Sequence, residues 1–184
     1  MWGQPFPKVF EQRADLIAIT RQFVSQLFGV PAVTGGKTFW VEKTPSNILS
    51  MDLLWELFPE ATIVHIKRDP RGVLHSFMSQ DWLPHDAANA AKCLEIIYLR
   101  WSLERARLNF TGRRYIELKL EDLAADTQTE LTKFSQVSGV PVNRHIRQLD
   151  LAAVDRWKTE MTAEARQLCE TRLGRYFELM GYEI

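Results

Sequence analysis

The sequence predicts an α/β fold in which a parallel β-sheet is flanked by helices. The run Ala61–Ile66 is short, apolar and β-branched, as a buried parallel strand is, and a second strand pattern covers 114–120. Helical patterns lie before, between and after these runs, and strands joined through helices pair in parallel. The length of 184 residues fits one domain. We therefore expect a single domain, with a helical segment at 1–37 and a core at 38–184.

The first helical pattern covers 10–28, where apolar residues recur at a spacing of three to four. Gly29 and Pro31 are expected to end this helix, because glycine and proline are frequent helix terminators. A glycine-containing loop then leads into a short predicted strand at 38–41.

A second helix is expected before the strand Ala61–Ile66, with Ser46 or Asn47 as its N-cap. After that strand, Asp69 suits the N-cap of the next helix and Pro70 suits its first position. The remaining chain continues the alternation of helix and strand. Its predicted elements are a helix at 87–108, a strand at 114–120 and helices at 127–138 and 162–180.

The charge balance bears on the possible partners. Twenty-three basic and twenty-three acidic residues give a net charge of zero, so the chain lacks the basic footprint of general nucleic-acid or anionic-membrane binding. The sequence shows no signal-peptide pattern and no apolar run near the ~20 residues of a membrane span. Cys93 and Cys169 are widely separated, which is typical of reduced thiols rather than of a metal site or a disulfide framework. We therefore expect a cytoplasmic protein with no metal.

An arginine and a serine mark a candidate anion site. Arg68 follows the strand Ala61–Ile66, and Ser76 lies eight residues on, in the next helix. Anions bind beyond the carboxyl ends of parallel strands, where the following helix presents free N–H groups and a positive dipole. The alternative is that Arg68 pairs with Asp69 or with another carboxylate at a helix start, and that Ser76 is an ordinary helix residue. His65 and His75 are expected to be structural.

Four stretches of the chain, in the same order, resemble segments of the sulfotransferases that use 3′-phosphoadenosine-5′-phosphosulfate. The sequence RDPRGVLHS at 68–76 is similar to the family's 3′-phosphate-binding segment, R-[DN]-P-x-[DG]-x-x-x-S. The other three are WVEKTPSN at 40–47, YIELKLEDL at 115–123, and RWK at 156–158 followed by a helix closing on Gly181-Tyr182.

The resemblance implies a sulfotransferase that moves a sulfuryl group to a hydroxyl of a carbohydrate, lipid or small metabolite and releases adenosine 3′,5′-bisphosphate. It implies that Arg68 and Ser76 bind the 3′-phosphate, that Glu42 is the general base and that Lys43 meets the sulfuryl or bridging oxygens. Some members carry an R-K-G triplet before the W-K segment; this chain has Leu-Ala-Ala at 151–153. Arg147 or Arg156 is the candidate substitute. The alternative for Glu42 and Lys43 is a solvated ion pair.

The family's N-terminal loop, G-x-[PG]-x-S-G-[ST]-T, has no counterpart in this sequence. We therefore expect a fold that is incomplete at the N-terminus, with an open sheet edge that favours a homo-oligomer. A truncated or degenerate domain that binds adenosine 3′,5′-bisphosphate weakly, or acts as an interaction module, stays open as an alternative. A kinase-like protein is a third hypothesis. The TGGKT run at 34–38 does not support it, because Pro31 stands where a Walker A loop needs its first glycine.

Overall fold

The computed structural model describes residues 12–142 and 149–184. These residues belong to two compact units, Met1–Ala61 and Thr62–Ile184, which we describe separately. The expectation of a single domain over 1–184 stays a prediction.

The helices and strands have the following bounds. The first unit contains α1 (Arg13–Val24), a π-helical turn (Ser25–Gly29), α2 (Val30–Thr34), a 3-10 helix (Pro45–Ser50) and α3 (Met51–Leu57). The second unit contains β1 (Thr62–Lys67), α4 (Pro70–Met78), α5 (Ala87–Arg107), β2 (Arg114–Lys119), α6 (Leu120–Ala125), α7 (Thr127–Ser138), α8 (Leu151–Asp155), α9 (Trp157–Glu160), α10 (Ala163–Leu173), a 3-10 turn (Gly174–Tyr176) and α11 (Phe177–Met180).

The first helix runs past the residues that were expected to end it. The π-helical turn at Ser25–Gly29 joins α1 to α2, and Pro31 lies in the first turn of α2. A π-turn bonds each N–H five residues back, so it shifts the hydrogen-bond register ahead of a proline that has no N–H to donate. The helix ends instead at Thr34 and is followed by Gly36, whose φ of 68° is the left-handed conformation that glycine adopts freely.

This continuous helix also bears on the expectation that the chain has no membrane span. Within its 22 residues, Arg13–Thr34, the mean hydropathy of an 18-residue window reaches 1.3, and the side chains are largely exposed. Length and composition therefore admit it as a membrane-spanning candidate among the described residues. They are weak evidence for a single helix, because signal sequences and core helices share both properties.

The predicted strand at 38–41 is wrong, since this stretch is irregular. A strand needs a hydrogen-bonding neighbour, and the described part of the first unit contains no other strand. The predicted caps Ser46 and Asn47 are also wrong. The 3-10 helix already begins at Pro45, with Thr44 in the N-cap position.

The parallel sheet is confirmed. Strands β1 and β2 pair in parallel, from Thr62 opposite Arg114 to Lys67 opposite Lys119, and helices flank them. Within 12–142 and 149–184 the sheet has two strands, so one edge of β1 has no strand partner there. Ile66 on β1 remains 47% exposed, as an apolar residue of an incompletely covered strand.

The core of the second unit forms around α5, as its apolar face predicts. Leu94, Tyr98 and Trp101 on that face are each at most 5% exposed. Helices α4 and α10 pack against α5, and Cys169 and Leu173 of α10 are completely buried there. Asp86 caps α5 by accepting a hydrogen bond from Asn89 N–H at 2.9 Å.

A charged network lies on one face of the sheet. Lys67 Nζ donates to Glu117 Oε2 at 2.7 Å, and Tyr115 donates its hydroxyl to Glu117 Oε1 at 2.7 Å. His65 Nδ1 lies 3.0 Å from the Tyr115 hydroxyl, so His65 is a satisfied structural residue as expected. Hydrogen bonding, to His65 foremost and then to Lys67 and Tyr115, holds the pKa of Glu117 well below its usual range.

Replacement of Glu117 by alanine is expected to destabilise the protein by about 3 kcal/mol, because it leaves the buried Lys67 ammonium without its carboxylate. Urea unfolding monitored by circular dichroism measures the change. Glu104→Ala is the control, since Glu104 pairs with Arg107 at the surface and such pairs contribute about 0–1 kcal/mol. Equal effects of the two substitutions would contradict a structural role for the network.

Candidate functional site

The turn between β1 and α4 is built as the sequence predicts. Asp69 is the N-cap of α4 and accepts the backbone N–H of Arg71 at 2.8 Å, and Pro70 occupies the first helical position. Arg68 therefore lies directly beyond the carboxyl end of β1, where open α/β sheets bind ligands.

The guanidinium of Arg68 is only partly satisfied. Its Nη2 donates to the carbonyl oxygen of Val154 at 2.6 Å, whereas its Nε is buried and has no partner among the described residues. No carboxylate of 12–142 or 149–184 pairs with it. The expected alternative, a pair between Arg68 and Asp69, is therefore absent from this part of the chain, because Arg71 holds Asp69 instead. An N–H group buried without a partner is costly and is a place where a ligand oxygen fits.

Gly72 allows Arg68 to approach α4 closely. A Cβ at this position would lie 2.8 Å from Arg68 Nε and 3.0 Å from Trp157 Cδ1. Ser76 is four residues further along α4, so it lies on the same helix face one turn away. Its hydroxyl has no partner among the described residues. The structure thus places Arg68 and Ser76 along one face of α4.

Arg156 lies between α8 and α9, two residues after the Val154 carbonyl that Arg68 contacts. Its side chain is exposed and has no partner within the described ranges. The structure therefore brings a second cationic residue to the chain segment beside Arg68. Arg147, the other candidate, lies outside the described residues.

The start of α4 offers fewer free N–H groups than expected. Pro70 has none, and the N–H of Arg71 is already bound by the Asp69 carboxylate. The Asp69 N–H itself donates to Glu121 Oε1 at 3.0 Å. Donors for an anion at this end of the sheet are therefore mainly side chains.

Arg71 contacts several elements of the second unit, and the sequence pattern did not predict these contacts. It holds both carboxylate oxygens of Asp69, at 2.9 and 2.7 Å, and donates to Glu170 of α10 at 3.1 Å. Its guanidinium lies 4.8 Å from the ring centre of Trp157 and 5.0 Å from that of Phe177. The hydrogen bonds to Asp69 raise the pKa of Arg71 above its ordinary value. The Asp-x-Arg spacing of Asp69 and Arg71 was the available signal for this pair.

Glu42 and Lys43 belong to the first unit, and both are exposed. The carboxylate of Glu42 accepts hydrogen bonds from the Thr44 hydroxyl and the Asn47 side-chain amide, one on each oxygen. Lys43 has no partner among the described residues, so the alternative of an ion pair with Glu42 is not found there. The 40–47 segment is therefore arranged around the Glu42 carboxylate.

Nearby, the indole of Trp40 stacks on Phe28 at 5.4 Å and meets the edge of Phe58 at 5.7 Å. These ring contacts anchor the beginning of the 40–47 segment to the helices of its own unit.

His75 fits the structural role expected for it, since its Nε2 lies 3.4 Å from Glu160 Oε2. Within the described part of the chain, no group of three or more His, Cys, Asp or Glu side chains is arranged to hold a metal ion.

Two shallow surface depressions do not coincide with the candidate residues. One is lined by Arg13 and Glu56 among others, and the second by Arg166 and Glu170. In the first, the charged side chains are engaged in the bidentate Arg13–Glu56 pair at 2.7 and 2.9 Å. In the second, Arg166 donates to the carbonyl oxygen of Lys158 at 3.0 Å, and its Nε, like that of Arg68, is buried without a partner among the described residues. Arg68 differs from Arg166 in its position, because it lies directly beyond the carboxyl end of β1.

A family profile described as "Sulfotransferase family" matches residues 5–144, which is more than half of the chain. This chain belongs to the sulfotransferase family. A comparison with curated proteins found no significant match. Among solved structures, this chain is similar to the sulfotransferase domain of the olefin synthase from Synechococcus PCC 7002, with 22% sequence identity and a TM-score of 0.49. The alignment covers 71% of this chain and 56% of that domain.

Membership of the sulfotransferase family supports a transferase and sets aside the kinase-like hypothesis. The matched residues include Glu42, Lys43, Arg68 and Ser76, whereas Arg156 lies beyond them. The individual roles of these residues are the subject of the proposals below.

In this sulfotransferase-family chain, Gly72→Ala is expected to lower the free energy of unfolding by up to about 2 kcal/mol. The new methyl group overpacks the contact with Arg68 and Trp157 at a cost of about 1–3 kcal/mol, and the higher helix propensity of alanine offsets about 1 kcal/mol of it. Chemical denaturation measures it.

Gly174→Ala is the matched control for Gly72→Ala. The nearest atom to its new methyl would be the mobile end of the exposed Ile184 side chain, at 3.1 Å. Gly174→Ala is therefore expected not to lower the free energy of unfolding. If both substitutions raised the free energy of unfolding, the close approach of Arg68 to α4 would not require a glycine at position 72.

Proposed function

We propose that this protein transfers a sulfuryl group from 3′-phosphoadenosine-5′-phosphosulfate to an acceptor hydroxyl, with the nucleotide's 3′-phosphate bound by Arg68 and Ser76. The observation that carries the proposal is the Arg68 guanidinium, which lies beyond the end of β1 and whose buried Nε has no partner among the described residues. Sulfotransferases generally use this donor, and the chain belongs to that family.

The residues around Arg68 fit a phosphate group. A guanidinium offers five N–H donors in a planar fork that matches phosphate oxygens, and Arg68 uses one of its nitrogens on the Val154 carbonyl. The Ser76 hydroxyl adds a donor on the same face of α4. Arg156 adds a second positive charge in the segment that begins at Val154. A charge-assisted hydrogen bond contributes about 1.5–3 kcal/mol.

Glu42 and Lys43 are proposed to carry the chemistry. When bound, the donor supplies the sulfuryl group and a phosphate leaving group. Glu42 takes the proton from the acceptor hydroxyl, and a positioned base of this kind contributes about 10²–10⁴-fold to the rate. Lys43 places an ammonium group beside oxygens that gain negative charge. The hydrogen bonds from Thr44 and Asn47 support this role, because they fix the direction of the Glu42 carboxylate.

A second candidate is a non-catalytic domain that binds adenosine 3′,5′-bisphosphate weakly or acts as an interaction module. It is favoured by the start of α4, where Asp69 and Glu121 already engage the first backbone N–H groups and bring negative charge to the helix terminus. Nucleotide binding without any transfer would select this candidate.

The partners belong to the same proposal. We infer a carbohydrate, lipid or small-molecule acceptor, no nucleic-acid partner and a cytoplasmic location, which the free thiols of Cys93 and Cys169 support. Self-association is inferred through the edge of β1 that has no strand partner within 12–142 and 149–184.

Arg68→Ala is expected to weaken binding of adenosine 3′,5′-bisphosphate by roughly 10–100-fold, because it removes charge-assisted contacts with the 3′-phosphate. Isothermal titration calorimetry measures the affinity, and the melting temperature checks that the variant is folded. Arg107→Ala is the control, since it removes the same charge from an exposed position on α5. Equal affinity of Arg68→Ala and the unsubstituted protein would refute the phosphate site.

Glu42→Gln is expected to abolish transfer while leaving the affinity for adenosine 3′,5′-bisphosphate nearly unchanged. The amide keeps the shape of the side chain but cannot accept the proton. Transfer of radiolabelled sulfate to a panel of carbohydrate, lipid and small alcohol acceptors provides the measurement.

The control for Glu42→Gln is Glu164→Gln, the same substitution at an exposed position in the first turn of α10. Full activity in Glu42→Gln, or loss of nucleotide affinity alone, would rule out the role of general base.

A further inference from the structure

The C-terminal residues of the second unit lie against the ends of both strands. Lys119, the last residue of β2, donates to the carbonyl oxygen of Gly181 and lies 4.6 Å from the ring centre of Tyr182. Arg71 Nη2 donates to the carbonyl oxygen of Glu183 at 3.1 Å. The C-terminal tail is therefore attached at the carboxyl ends of the strands, the same end of the sheet from which Arg68 extends.

One chain of hydrogen bonds links this tail to the turn that carries Arg68. Tyr182 donates its hydroxyl to Glu121 Oε2 at 2.5 Å, and Glu121 Oε1 accepts the backbone N–H of Asp69 at 3.0 Å. Asp69 directly follows Arg68 and is 7% exposed. A contact 61 residues apart in sequence, between Tyr182 and Glu121, thus reaches the backbone next to Arg68.

The geometry makes Glu121 a bridge with both oxygens in use. It lies in the first turn of α6, immediately after β2, so the two parallel strand ends are tied together through one carboxylate. Burial, together with the hydrogen bond to Glu121, raises the pKa of Tyr182, so its hydroxyl stays a donor at neutral pH.

We propose that Tyr182 and Glu121 are positioning residues for the phosphate site: they hold the backbone at Asp69 and thereby fix the direction in which Arg68 leaves β1. The inference rests on the proposed function and extends it to the C-terminal tail. A binding side chain must be held within about 0.5 Å of its productive position, and this depends on the hydrogen bonds of the residues that support it. Arg71 fixes the Asp69 side chain, whereas Glu121 fixes its main chain.

The test compares two nucleotides that differ by the 3′-phosphate. Tyr182→Phe is expected to weaken binding of adenosine 3′,5′-bisphosphate by roughly 3–10-fold, the loss that follows from one hydrogen bond, and to leave the affinity for adenosine 5′-monophosphate unchanged. A general loosening of the fold would weaken both nucleotides equally, and that result would overturn the proposal.

The control is Tyr176→Phe. The Tyr176 hydroxyl is buried and has no hydrogen-bond partner among the described residues, so its removal breaks no contact there. The affinity of Tyr176→Phe for adenosine 3′,5′-bisphosphate and for adenosine 5′-monophosphate is expected to equal that of the unsubstituted protein. A loss in Tyr176→Phe equal to that in Tyr182→Phe would contradict a specific role for Tyr182.

The double variant Tyr182→Phe/Arg68→Ala shows whether Tyr182 acts through Arg68. If it does, Tyr182→Phe has no further effect on bisphosphate binding once Arg68 is absent. Additive losses would show that Tyr182 acts by another route and would overturn the positioning role.

Backbone amide hydrogen exchange separates failure of this inference from failure of the proposed function. Tyr182→Phe is expected to accelerate exchange at the Asp69 amide, whether or not a nucleotide binds. No nucleotide binding to the unsubstituted protein would refute the phosphate site itself, while faster exchange at Asp69 would still establish the link from Tyr182. Unchanged exchange would overturn that link even if the nucleotide binds.

Discussion

The ion pair between Asp69 and Arg71 is the constraint on which the second unit's candidate site depends. The same Asp69 carboxylate caps α4 by accepting the backbone N–H of Arg71, so it is fully engaged by Arg71. Because Arg71 also reaches Glu170 and lies against the rings of Trp157 and Phe177, the same pair draws α9, α10 and α11 to the end of β1. A pair desolvated in this way is costly to break, since either partner alone would be a buried charge.

The two arginines of the RDPR run therefore differ in their hydrogen bonds. Arg71 donates to Asp69, Glu170 and Glu183, whereas Arg68 keeps a buried N–H without a partner in the described chain. Gly72 permits the difference, because a side chain there would occupy the space that Arg68 Nε uses. Arg68 is therefore the arginine of this run that keeps a donor for the proposed phosphate contact, while Arg71 is held by Asp69 and Glu170.

The two groups of candidate residues lie in different compact units, and each group is held by contacts within its own unit. In the first unit, Thr44 and Asn47 hold the Glu42 carboxylate, a local arrangement that needs a spacing of only a few residues. In the second, Arg68 donates to the carbonyl oxygen of Val154, which lies 86 residues further along the chain. Substitutions near Glu42 are therefore expected to act locally, while those around Arg68 reach several helices.

The sequence by itself determined the parallel strands, the cap at Asp69, the helix at 127–138 and the membership of a family, because periodicity, caps and motifs are written in neighbouring residues. Two predictions from local sequence were wrong. The helix does not end at Gly29, because a π-turn carries it past that glycine. The stretch 38–41 is not a strand, because no other strand of the described first unit pairs with it. Only the tertiary structure decided that Arg71 binds Asp69 and Glu170, that Arg68 donates to the Val154 carbonyl oxygen, and that Tyr182 donates to Glu121. These contacts join residues as many as 99 positions apart, and no local pattern encodes which distant partner a charged side chain will meet.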